Sequence, residues 1–251
     1  MSGHSKWSTI KRKKGAIDAK RGAMFTKLIR EITVAAREGG EDPEANPRLR
    51  TAILKAKAGN MPSDNIERAI KKGAGTLEGV TYEEVRYEGY GPGGVAIMLD
   101  CLTDNKNRTT PEIRTIFGKN GGNLGDTGCV SYLFERKGIL VIEEGQITED
   151  ELIELLIEYD VDDIIVEDNN LVVKTAPESY NDVSGILMEK DLKMITNELT
   201  YLPVTTVQLD EKGARQTLRL VELLDDQDDA QNVYSNYEIP DEIMNAIYEE
   251  Q

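Results

Sequence analysis

Up to residue 75 the apolar residues recur at helical spacing, and from residue 80 they switch to the alternation and short runs of strands. Such a switch describes a helical domain followed by mixed α/β structure, not one uniform bundle or sandwich. Phe25, Leu28, Ile29, Ile32, Ala35 and Ala36 mark a first helix that stops at Gly39 and Gly40. A second opens on Pro47, carries Leu49, Ala52, Ile53 and Ala56, and stops at Gly59 and Asn60. A third follows Pro62 with Ser63 as its expected N-cap, buries Ile66, Ala69 and Ile70, and ends at Gly73.

Charge divides at the same place. Residues 1–75 hold 17 Lys and Arg against 8 Asp and Glu, a charge of +9. The remainder holds 13 against 38, a charge of −25, and the two parts restore the total of −16. All ten tyrosines also fall after residue 80. Asymmetry of this kind marks a domain boundary and points to an anionic partner, nucleic acid first among them.

Beyond residue 80, EVRYEGY and GVAIMLDCL read as strands about a glycine turn, NRTTPEIRTIFGKN as a helix, and GCVSYLFER as a returning strand after the loop GGNLGDTG. GILVIEE, TEDELIELLIEY, VDDIIVED, LVVKTA, DVSGILMEK and KMITNELTYLP follow as β-α-β-β-α-β, the order of a ferredoxin-like unit. TTVQLD, a helix over 215–224 and a strand in QNVYSNYEI then complete the earlier half. The expected fold is α+β and multidomain, an N-terminal three-helix bundle plus two α/β domains, the last ferredoxin-like and inserted in the middle one. The boundaries expected are 1–78 for the basic helical domain, 79–137 with 205–240 for the middle domain, 138–204 for the insert, and 241–251 for a C-terminal tail.

Several motifs look chemical and are read otherwise. Gly89, Gly91 and Gly94 match G-x-G-x-x-G, but a strand follows where a dinucleotide site needs a helix, so a hairpin is expected. The loop GKNGGNLGDTG, 118–128, lacks the Gly-Lys-Ser/Thr ending of a P-loop; a helix-to-strand connection and a backbone anion nest both fit it. His4 is the only histidine, and no Gly-x-Ser-x-Gly elbow is present, so no catalytic residue is assigned and an enzyme is not expected. The paired acids fit neither a calcium loop nor a zinc site, and no metal or cofactor is expected. Cys101 and Cys129 lie far apart with no CxxC spacing, as in a reducing compartment. No apolar run reaches a membrane span, and the basic segment lacks the apolar stretch of a secretory signal; a cytoplasmic location and no membrane contact are expected.

The basic residues have a direct reading. Lys6, Lys11, Arg12, Lys13, Lys14, Lys20, Arg21, Lys27 and Arg30 stand against one acid, Asp18, in the first 30 residues. Arg48, Arg50, Lys55, Lys57, Lys71 and Lys72 extend the charge over the second and third helices. Such cations neutralise phosphates and release counterions. Trp7 could stack on an unpaired base or close over the bundle. The second and third helices also resemble a helix-turn-helix, yet Asp64 and Glu67 in the first turn of the third would repel phosphate. Backbone and shape recognition is therefore expected over base reading.

GHSKWSTIKRKKGAIDAKRGAMFTKLIREI, MPSDNIERAIKKGAG, YEGYGPGGVAIML, DNKNRT and GGNLGDTGCVSYLF resemble, in order, the signatures of the YebC family. The resemblance covers essentially the whole chain. It implies three domains and a regulator of gene expression: bacterial members are called probable transcriptional regulators, and mitochondrial relatives activate translation of cytochrome oxidase. It also implies association with ribosomes that stall on proline-rich stretches. DNA, ribosomal RNA and the ribosome are thus the expected partners, with a protein partner considered for the acidic α/β domains.

Overall fold

The computed structural model describes residues 17–167 and 169–249. Its first part is three helices, α1 (Ile17–Gly39), α2 (Pro47–Ala58) and α3 (Ser63–Gly73). Ile32, Ala35, Ala36, Leu49, Ala52, Ala56, Met61, Ile66 and Ala69 close a core between them. The small residues let the helices approach: a Cβ on Gly73 would stand 2.3 Å from the Thr33 carbonyl oxygen. Buried Asn46 pins the corner between α1 and α2. Its Nδ2 donates to the Ala35 and Gly40 carbonyls, both at 2.8 Å, while its Oδ1 accepts the Leu49 N–H at 3.1 Å as the N-cap of α2.

The N-terminus of α3 departs from the sequence reading. Pro62 is the N-cap, Ser63 is already helical, and no side chain caps the end. Proline fixes φ at the entry, and the Pro62 carbonyl accepts the N–H groups of Asn65 and Ile66, so a hydroxyl cap is not needed to start the turn.

Onward the order is β1 (Glu83–Tyr90), β2 (Ala96–Thr103), α4 (Lys106–Lys119), β3 (Asn123–Leu124), β4 (Phe134–Ile142), α5 (Glu149–Leu156), β5 (Val161–Glu167) and β6 (Asn170–Thr175). Then come α6 (Tyr180–Glu189), β7 (Met194–Pro203), β8 (Val207–Gln208), α7 (Glu211–Asp225), β9 (Ala230–Ser235), β10 (Tyr237–Glu238) and α8 (Asp241–Glu249). One sheet has the order β3-β1-β2-β9, antiparallel throughout. Ile97 and Leu99 of β2 join Ile113, Phe117, Leu220 and Leu224 of the covering helices in one core. Ala96 and Met98 point the other way, into a cluster with Val130, Phe134 and Tyr234. Burial on both faces is why VAIMLDCL is a run rather than an alternation.

The second sheet has the order β5-β6-β4-β7, also antiparallel, with α5 and α6 packed on one face. That order places the first strand of the β-α-β-β-α-β unit between the third and the fourth, the ferredoxin-like arrangement. The molecule is therefore mixed helix and sheet, multidomain, with helices leading, as the sequence indicated.

Two segments differ from the sequence reading. GCVSYLFER is not a strand of the first sheet: Ser131–Leu133 is a single 3₁₀ turn, and the strand starts at Phe134, pairing with Pro203 of β7. Val130 and Phe134 are buried in the cluster behind β2, and that anchorage holds the chain in a turn until it can enter the second sheet. The strands of the second sheet accordingly reach from 134 to 203. The segment read as a tail forms α8, because Met244 and Ile247 find places in the first core.

Candidate nucleic-acid interface

Lys6, Trp7, Lys11, Arg12, Lys13 and Lys14 lie outside the described residues. Lys20 and Arg21 fall on α1. The other candidates are ordered side chains, and many face the acidic part of the molecule. Lys27 Nζ donates to the Asp225 carbonyl at 2.7 Å and lies 3.2 Å from its carboxylate. Arg30 lies 2.9 Å from the Asp229 carboxylate, donates to the Asp228 carbonyl, and sits 5.5 Å from the centre of the Tyr82 ring. Arg48 holds Glu31, Glu38 and Glu84 at 2.8, 2.7 and 2.5 Å. Burial weakens its hold on the proton, but Glu31 and then Glu84 more than offset that, so its pKa rises. Lys55 reaches Glu198 of β7 at 3.8 Å.

The remainder point outward or stay local. Arg50 donates to the carbonyls of Pro43 and Glu44, at 3.2 and 3.3 Å, and Lys71 lies 3.9 Å from Glu67, one turn earlier. Lys57 and Lys72 are exposed. Lys72 lines a cavity of about 190 Å³ with Arg37, whose guanidinium donates to the Tyr82 carbonyl at 2.6 Å. The candidates thus divide into docking cations (Lys27, Arg30, Arg48, Lys55) and outward cations (Arg50, Lys57, Lys71, Lys72).

The docking follows from helix electrostatics. Asp225, Asp226, Asp228 and Asp229 crowd the C-terminal end of α7, where negative charge opposes the helix dipole. Lys27 and Arg30 supply the missing cations from α1. Asp229 is wholly buried and also accepts Thr109 Oγ1 at 2.5 Å, Thr103 Oγ1 at 3.1 Å and Arg108 Nη2 at 2.8 Å. Its burial favours the neutral acid, but bonds from Thr109, Arg108 and Thr103 and the charge of Arg30 outweigh it and hold the pKa below the ordinary value.

The glycine loop 118–128 has an anion of its own. Glu88 of β1 is 2 % exposed, and its carboxylate accepts the N–H groups of Gly128, Val130 and Ser131 at 2.9, 2.8 and 2.8 Å. Burial pushes its pKa up, and these amides pull it down further, leaving it below the usual carboxylate range. The end of the loop therefore binds an internal carboxylate. Gly89 lies in β1, opposite Ile97, and Gly91 and Gly94 lie in the turn between β1 and β2, a hairpin as expected, with Gly93 and Gly94 at φ +71° and +80°.

Asn46, Glu88 and Asp229 escaped the sequence reading. None left a local signal; Glu88 is one of three acids in β1, with Glu83 and Glu84. Among the described residues no group of His, Cys, Asp and Glu could hold a metal, and no helix is long and apolar enough to cross a membrane.

A family model described as the TACO1/YebC protein N-terminal domain matches residues 5–76, and one described as the TACO1/YebC second and third domain matches residues 82–237. The chain belongs to the TACO1/YebC family. Relatives named probable transcriptional regulatory protein include one from Syntrophobacter fumaroxidans, 56% identical over 98% of this chain and 100% of its own. Another, from Persephonella marina, is 53% identical over 98% of this chain and all of its own. A conserved hypothetical protein from Aquifex aeolicus, solved by crystallography, superposes with a TM-score of 0.80 at 51% identity, covering 89% of this chain and 93% of that one. The family boundary between 76 and 82 coincides with the change of period and of charge.

Proposed function

We propose that this protein is a non-enzymatic, cytoplasmic, nucleic-acid-binding regulator of gene expression, of the transcriptional kind that the names of its relatives describe. The observation that carries the reading is the charge division, +9 over residues 1–75 against −25 over the rest. A module with an excess of cations held on an acidic body presents one end to phosphate and repels it elsewhere. The basic segment 6–21 supplies most of the contact, with Arg50, Lys57, Lys71 and Lys72 beside it.

A second reading, binding to ribosomal RNA in translation, is favoured by the first turn of α3. Asp64 in that turn and Glu67 just after it are exposed where a groove-reading helix would meet bases and phosphates. Contact through backbone and shape is the way irregular RNA is bound. The acidic α/β surface is then the face for a protein partner.

Affinity against salt tests the proposal, using the full chain and a variant with Lys11, Arg12, Lys13 and Lys14 all changed to alanine. The slope of log affinity against log salt should fall by about 0.7–0.9 for each lost phosphate contact. An unchanged slope overturns the reading. A promoter-length duplex preferred over structured RNA at physiological salt favours transcription, and co-sedimentation with ribosomes favours the second reading.

A further inference from the structure

The C-terminal end of α5 lacks what the end of α7 receives. Glu154 lies in the last turn of α5 and Glu158 just beyond it, and that turn holds no basic residue. Negative charge at this end opposes the helix dipole. At α7 the same conflict is answered by Lys27 and Arg30, which dock on Asp225 and Asp229. At α5 neither Glu154 nor Glu158 is in an ion pair with any described residue. Nor does the local sequence offer a partner, since residues 143–168 hold 12 acids and no Lys or Arg. Glu151 closes the capping box with Thr148, and Glu149 and Asp150 suit the start of the helix. Glu154 and Glu158 have no such task.

The same helix exposes apolar surface. Leu152 and Leu156 are buried and supply its core face, yet Ile153 and Ile157 are 45% and 76% exposed. Ile157 is the C-cap but keeps helical angles, φ −60° and ψ −26°, so it stands one turn beyond Ile153 in one stripe. Single exposed apolar residues are ordinary on a protein surface. Two in one stripe, on a helix whose core face is already complete, are not needed for the fold. Glu149 and Asp150 stand one turn before Ile153, and Glu154 stands three residues before Ile157, so exposed acids border the stripe. Met188 of α6, the other helix on that side of the second sheet, is exposed as well.

We propose that the Ile153–Ile157 stripe of α5 is a docking surface for another protein, taking an amphipathic segment rich in lysine or arginine. Its apolar side chains cover the isoleucines, anchors one turn apart, and its cations meet Glu149, Asp150, Glu154 and Glu158. Charge complementarity selects this occupant. Acids around the stripe repel phosphate and anionic lipid, while a cation beside Glu154 and Glu158 relieves their conflict with the dipole, as Lys27 and Arg30 do at α7. The proposal rests on the reading of the acidic surface as the face for a protein partner and narrows it to one helix. Nucleic-acid binding by the basic module stands or falls separately.

The test uses the full-length protein and a fluorescein-labelled amphipathic helical peptide of leucine and lysine, with a charge-matched control in which serine replaces leucine. The wild type should bind the first peptide more tightly than the second at physiological salt. Changing Ile153 and Ile157 together to serine should weaken binding of the leucine peptide about 10- to 100-fold, the loss of two apolar anchors. Val204→Ser, at an exposed valine outside this helix, should leave it unchanged. Glu154→Gln with Glu158→Gln should weaken binding at low salt and flatten its dependence on salt. That pair removes charges that oppose the dipole, so its thermal midpoint should hold or rise, and lost binding is then not lost folding. Equal binding of the two peptides overturns the proposal in favour of a solvated acidic face, and so does indifference to the isoleucine variant. Dimers in sedimentation that the isoleucine variant abolishes also overturn it, in favour of a second copy of this chain. Tighter peptide binding once Lys11, Arg12, Lys13 and Lys14 are changed to alanine overturns it in favour of the chain's own basic segment. Oligonucleotide affinity should be the same for the wild type and the isoleucine variant; a wild type that binds the peptide but no oligonucleotide overturns the nucleic-acid reading alone.

Discussion

Arg30 of α1 reaches a carboxylate with no solvent exposure, Asp229, at 2.9 Å, and so ties the basic module to the body of the protein. The same carboxylate takes Arg108 and two threonine hydroxyls, which leaves it fully satisfied. Removing one partner of a buried pair strands the other, at a cost of about 3–5 kcal/mol. Asp229→Ala should therefore lower the denaturation midpoint strongly, whereas Arg108→Ala, with its guanidinium near solvent, should cost much less. Equal losses in urea titrations would show that Asp229 is not the centre of the contact.

The same group sets an acid limit. The folded pKa of Asp229 lies below the unfolded value near 4, so its contribution to stability is full above about 4. It is lost as pH falls through the depressed folded value. Glu88 has the same sign, for it too is held low by its three amides. Stability measured from pH 7 down to 2 should fall below about 4, and Asp229→Asn should flatten that fall by removing one of the titrating groups.

Glu88 also fixes the turn into the second sheet. Glu88→Gln keeps the shape but removes the charge that three N–H donors share, and should cost about 1.5–3 kcal/mol. Hydrogen exchange locates the effect: the amides of Gly128, Val130 and Ser131 should exchange faster, while those of α1 stay protected.

Periodicity carried the helices, the hairpin and the ferredoxin-like order, because each depends on local spacing that the residues state directly. It did not carry the start of β4, since Val130 and Phe134 are held by packing behind a strand more than 30 residues earlier in the chain. Nor could it separate Lys27 from Lys57. Both are lysines on an amphipathic helix, and only the acids at the end of α7 give the first an internal partner. Nothing local marks Asn46, because its three hydrogen bonds exist only where the α1–α2 corner closes around it.

Close approach in the helical module gives a steric expectation. Gly73→Ala places a methyl carbon 2.3 Å from the Thr33 carbonyl oxygen and 2.8 Å from the Ala36 Cβ, so α3 must move away from α1. Overpacking of this kind costs about 1–3 kcal/mol. Gly75→Ala has open space but a φ of +77°, and should cost less, about 1 kcal/mol, through backbone strain alone. Thermal midpoints of the two variants order the effects.

The division between docking and outward cations leads to opposite outcomes for two similar substitutions. Lys27→Ala removes a hydrogen bond to the Asp225 carbonyl and a partner for acids that oppose the α7 dipole. It should lower stability by about 1 kcal/mol and leave the salt slope of nucleic-acid binding unchanged. Lys57→Ala removes an exposed charge with no described partner; it should leave the urea midpoint within about 0.5 kcal/mol and reduce the salt slope by about 0.7–0.9. Both quantities are read on each variant. If Lys27→Ala reduced the slope as much as Lys57→Ala did, the contact with Asp225 would have to open when nucleic acid binds, and α1 would belong to the phosphate-binding face.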